Sequence, residues 1–152
     1  MSKTLVRSLF RGSSAQAALK TQLTEQTRDN CVVSGLVGSA LSISIAELFK
    51  ETALPFLLIL NDKEQAAYHL NDLENLLGDE SVLFYPGSYR RPYQIEQTDN
   101  ANVLLRSEVL NRINSRKKPA LIVTYPEALF EKVVTKKELE KKIKNYDVHL
   151  HF

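Results

Sequence analysis

The chain is poor in the residues that most often announce a special chemistry. It has one cysteine, one methionine and no tryptophan among 152 residues. A lone Cys31 cannot close an internal disulfide, and its position before Val32 and Val33 predicts a buried structural thiol rather than a reactive one. No apolar run approaches the roughly 18 residues that a membrane span needs. The opening MSKTLVRSLFRGSS has neither the long apolar centre nor the cleavage pattern of a secretory leader, so the reading is cytoplasmic with no membrane partner. Charge of one sign is also lacking: 20 basic residues stand against 18 acidic ones, for a net charge of +2. That balance gives no global field for nucleic acid, and any basic footprint has to be local. Internal repeats and low-complexity segments are absent as well.

What is present, 43% hydrophobic and 25% charged residues, fits one soluble α/β domain. Apolar spacings of three and four at Leu5, Val6, Leu9 and Phe10, resuming at 15–23 after Gly12-Ser13-Ser14, predict a helical extension over residues 1–28. The α/β domain is expected over 29–152. There the pattern alternates: CVVSG (31–35) as a short strand, a helix over 39–50 and PFLLIL (55–60) as a strand buried on both faces. A helix follows, capped by Asn61 or Asp62, with Ala66, Leu70, Leu73 and Leu77 as its stripe and Gly78 as its end. SVLFY (81–85), a helix over 103–113 and ALIVTY (120–125) complete the rhythm before lysine-rich helical stretches. The expected architecture is a parallel sheet with helices on both faces.

The stretch VVSGLVGSALSIS (32–44) carries the first candidate site. A phosphate loop of the form G-x-x-x-x-G-K-[ST] needs glycines so that backbone N–H groups can cradle phosphate oxygens, a lysine for the β and γ phosphates, and a hydroxyl for magnesium. Here Gly35 takes the first position, Ala40 replaces the second glycine, Leu41 replaces the lysine and Ser42 keeps the hydroxyl. Loss of a charge-assisted bond worth roughly 1.5 to 3 kcal/mol weakens a triphosphate about ten- to a hundredfold. The alternative is a plain strand-to-helix turn, with Gly35 and Gly38 serving geometry and Ser39 as the N-cap.

A second candidate is YPGSYRRPYQ (85–94), where Tyr89 and Tyr93 flank Arg90 and Arg91, a mixture suited to stacking on bases and neutralising phosphates. It reads equally as a surface loop whose tyrosines cover the end of the sheet. A basic series runs through Arg106, Arg112, Arg116, Lys117 and Lys118, and a lysine-rich one beyond Glu131 reads as a solvated helix face. His149 and His151 share one side of a strand pattern, without a third ligand nearby, and His69 reads as partly packed. No acidic pair follows ALIVTY, and no nucleophilic triad is visible.

Over about residues 30–139 the order and spacing of VSGLVGSALSISIAEL, PFLLILNDKEQAAYHLNDLENLLGDESVLFYPG and PALIVTYPEALFEKV resemble the N-terminal part of the bacterial transcription-repair coupling factors (Mfd). That part is itself similar to the first domain of the excision-nuclease subunit UvrB, a P-loop NTPase-like fold. The resemblance implies a fragment of a long multidomain protein whose phosphate loop, Gly35, Gly38, Ala40, Leu41 and Ser42, is vestigial. It implies no catalytic residue, metal or cofactor here, with ATP and magnesium used in a separate motor module. The intact protein would be an ATP-driven DNA translocase that displaces stalled RNA polymerase through other domains and recruits UvrA mainly through a following domain. The relatives' tyrosine-rich DNA-clamping hairpin falls near Tyr93, where this chain is too short to build one. An independent nucleotide-binding enzyme and a stand-alone DNA-binding module are the competing readings.

Overall fold

The computed structural model describes residues 8, 10–25, 30–88 and 100–131. Eight elements follow in order: α1 (Ser14–Thr24), α2 (Ala40–Thr52), β1 (Phe56–Ile59), α3 (Lys63–Leu77), β2 (Val82–Tyr85), α4 (Asn100–Ser115), β3 (Leu121–Thr124) and α5 (Pro126–Phe130). The three strands form a wholly parallel sheet in the order β1-β3-β2, so β3, last in sequence, is central. Phe56 and Val82 both align with Leu121, and Ile59 and Tyr85 both align with Thr124.

Register fixes the two faces, because neighbouring aligned residues point the same way and successive residues alternate. Phe56, on one face, meets Phe49 of α2 edge-on at 6.2 Å between ring centroids. Tyr85, on the other, lies 4.2 Å beneath the guanidinium of Arg106 from α4. Helices therefore cover both faces, as the alternating pattern predicts. The buried core runs from Ala46 and Phe49 through Ala66 and Leu73 to Val109, Leu121 and Val123.

Local chemistry accounts for the element ends. Asp62 accepts a 2.7 Å bond from the Gln65 N–H and caps α3, whose last turn closes through the Gly78 N–H on the Glu74 carbonyl. Ser13 caps α1, which packs on α2: Gln16 is buried and its side-chain amide donates to the Ser44 carbonyl at 2.8 Å and accepts from the Ser44 hydroxyl at 2.7 Å. Arg11 pairs with the fully buried Glu47 beside this junction.

Three expectations are corrected. Residues 31–35 form no strand; they are irregular backbone, Cys31 is exposed, and Val32 is 92% exposed. β-branched residues favour strands only where a ladder and a packed face receive them, and among the described residues neither is offered here. Nor is β1 buried on both faces: among the described residues it lies at the edge of the sheet, with Leu57 and Ile59 open to solvent. Ser39 occupies the N-cap position of α2 without capping it; its hydroxyl instead pairs with that of Tyr68 at 2.8 Å.

Candidate functional site

Two places carry the polar chemistry. The first is the turn into α2. Gly35 and Gly38 have φ of 83° and 56°, backbone that L side chains rarely adopt, so the glycines are needed for conformation. A Cβ added at either would meet nothing within 4 Å, so no close approach explains them. Beyond the turn, Leu41 packs against the core cluster together with Ile45. Ser42 is fully buried, and its hydroxyl shares a 2.8 Å hydrogen bond with Nδ1 of His69 on α3. The Tyr68 ring stands edge-on to that imidazole. In this arrangement Ala40 and Leu41 supply no donor or charge from their side chains, and the one hydroxyl of the loop pattern is engaged inside the protein.

The second place is the C-terminal end of the sheet, where β2 and β3 release their chains. Thr124, fully buried, donates its hydroxyl to the Tyr85 carbonyl at 2.8 Å. Tyr125 accepts the Gly87 N–H at 2.8 Å, and Asn102 donates to the Gly87 carbonyl at 2.9 Å. The Glu131 carboxylate accepts both the N–H of Ser88, at 2.9 Å, and its hydroxyl, at 2.6 Å. Arg106 donates to the carbonyls of Pro86, at 2.7 Å, and Ala128, at 3.0 Å, and its charge faces Glu131 at 3.5 Å. Burial pushes the Tyr85 phenol up from its ordinary pKa against the opposing pull of Arg106. Burial also raises Tyr125, opposed chiefly by the Gly87 N–H bond and reinforced by the nearby carboxylates of Glu131 and Glu127.

This network joins described residues on either side of the stretch 89–99. Ser88 and Asn102 stand just outside the stretch 89–99; Ser88 is held by the Glu131 carboxylate, and Asn102 donates to the Gly87 carbonyl. Tyr89, Arg90, Arg91 and Tyr93 fall within that stretch and lie outside the described residues, as do His149, His151 and the lysine-rich series. Arg106 does not belong to a surface basic series: it is 7% exposed and spends its donors on two carbonyls. Sequence reasoning missed the clamp because its partners are far apart along the chain. The only local signal was an arginine placed inside an otherwise apolar helix face, between Val103 and Val109. Among the described residues no group of three or more His, Cys, Asp or Glu could hold a metal ion, and no helix is long and apolar enough to cross a membrane.

Against known proteins, the chain is 33% identical over 110 residues to the transcription-repair-coupling factor of Bacillus subtilis (strain 168). The chain is similar to a coupling factor. The match takes in 72% of this chain but only 9% of that protein's length. No protein-family model matches the chain, and no solved structure matches it.

Proposed function

We propose that this chain is a non-catalytic module of a longer, coupling-factor-like protein, with a P-loop-type fold that no longer takes nucleotide. The observation that carries the reading is the buried bond between Ser42 and His69, next to a leucine where a phosphate loop needs its lysine. A hydroxyl held at 2.8 Å by a buried imidazole can reach magnesium only if α2 and α3 separate, and Leu41 would have to leave the core for a charge to reach phosphate. The nucleotide chemistry then belongs to a motor elsewhere in the whole protein, an ATP-driven DNA translocase acting on stalled RNA polymerase. UvrA recruitment falls mainly to a following domain, and this chain serves as a scaffold whose Tyr89, Arg90, Arg91 and Tyr93 contact DNA.

The test is a thermal-shift titration with Mg-ATP on this chain and on the Ala40→Gly, Leu41→Lys double variant. A ligand at a hundred times its Kd adds about 2.7 kcal/mol of apparent stability. The expected result is no shift for the natural chain. A clear shift would defeat the reading and make a nucleotide-binding enzyme the better one.

A further inference from the structure

Where the chain enters the sheet, a cleft lies beneath the last turn of α4. Pro55, just before β1, Ile113 of α4 and Ile122 of β3 give it an apolar floor, around a volume of about 390 Å³. Small-molecule sites occupy roughly 300 to 1,000 Å³. The rim carries Arg112, Arg116 and Lys118, and no acidic residue lines the cleft. Among the described residues none of these three cations is paired with a carboxylate. Arg112 donates to the Glu80 carbonyl at 3.3 Å, which steadies it at the rim. Arg116 directly follows α4, and its N–H closes the helix on the Arg112 carbonyl at 3.2 Å. Its φ is 48°, a left-handed conformation that a helix end usually gives to glycine or asparagine. The helix dipole favours cations at this end, but it does not require an arginine held at positive φ or set around an apolar floor. Strain of this kind collects at functional sites.

We propose that this cleft binds a small organic anion, a carboxylate carried on an apolar body such as a fused aromatic ring. The body displaces water from Pro55, Ile113 and Ile122, and the carboxylate reaches the rim. There the planar guanidinium of Arg116 offers paired N–H donors that match two carboxylate oxygens, and Lys118 adds charge without a fixed geometry. Both halves are needed, because an inorganic anion gains nothing from the floor and a neutral hydrocarbon leaves the cations unanswered. The cleft is separate from the 35–42 turn. That turn leads into α2 and Pro55 follows its other end, with 13 helical residues, about 20 Å, between them. Binding here therefore stands or falls independently of the nucleotide reading.

The probes are three compounds on one naphthalene ring: naphthoate, naphthalenemethanol and naphthylmethylammonium. Each is titrated against the natural chain while the isoleucine methyl groups are followed by NMR. Naphthoate is expected to shift the Ile113 and Ile122 methyl signals and to saturate below millimolar concentration. Naphthalenemethanol, which lacks the charge-assisted bond, should bind roughly tenfold more weakly, and the ammonium more weakly still. Arg116→Gly should weaken naphthoate about tenfold while its denaturation midpoint holds or rises, because glycine takes positive φ without strain. An arginine kept for the fold alone would lower the midpoint and leave affinity unchanged. Lys118→Gln, which leaves the end of α4 untouched, tests the same rim should Arg116→Gly fail to fold, and it too should weaken naphthoate. The proposal is overturned if naphthoate leaves both methyl signals unmoved up to millimolar concentration, if the three compounds bind alike, or if neither variant weakens naphthoate.

Discussion

The Ser42 hydroxyl on α2 and Nδ1 of His69 on α3 lie 2.8 Å apart in the buried seam between the two helices. Removing the hydroxyl leaves the imidazole nitrogen without its partner in a place water does not reach. Ser42→Ala is expected to cost about 1 to 3 kcal/mol in chemical denaturation. In a double-mutant cycle with His69→Ala the two losses should fall short of their sum, since both remove one bond. Additive losses would mean that the contact contributes nothing of its own.

Glu131 ties Ser88 to α4. Glu131→Ala deprives the Ser88 N–H and hydroxyl of their acceptor and leaves the buried Arg106 charge without its carboxylate. The expected loss is about 3 kcal/mol, with faster hydrogen exchange at the Ser88 amide. Glu131→Gln, which keeps an acceptor oxygen, should lose less on both readouts.

The two tyrosines at this end of the sheet give the fold an alkaline limit. Burial raises both phenols above their ordinary pKa of 10.0, so the unfolded chain releases these protons first. Their contribution to stability is whole below the unfolded value and is lost as pH climbs through the folded ones. Denaturation midpoints measured from pH 8 upward should fall above about pH 10, and Tyr125→Phe should make that fall shallower. A profile unchanged by Tyr125→Phe would show that this phenol is not responsible.

Cys31 is exposed on irregular backbone. It should therefore react with a disulfide reagent such as Ellman's at nearly the same rate in the native and the denatured chain. Protection by about tenfold or more would restore the buried thiol that the sequence suggested.

The sequence was most legible where local chemistry decides structure. Asp62 and Gly78 bracket α3 as their capping tendencies predict, and the apolar runs at 56–59, 82–85 and 121–124 are strands. It misled where a neighbour decides. Val32 and Val33 have the residue types of a strand but meet no ladder among the described residues, and PFLLIL has the composition of a central strand yet forms an edge. For the candidate loop, the missing lysine was plain in the letters, whereas the engagement of Ser42 depended on His69, 27 positions away. The polar network at the C-terminal end of the sheet was hidden for the same reason: Ser88 and Glu131 are 43 positions apart.

That network has one more consequence. Glu131 holds Ser88 and Asn102 holds Gly87, so the described residues on the two sides of the 89–99 stretch are joined to one another directly. Doubling the length of a flexible connection costs only about 0.6 kcal/mol in closure entropy. The stem formed by Gly87, Ser88 and Asn102 is thus a natural grafting point, where a foreign segment could be inserted while the sheet beneath it stays as it is.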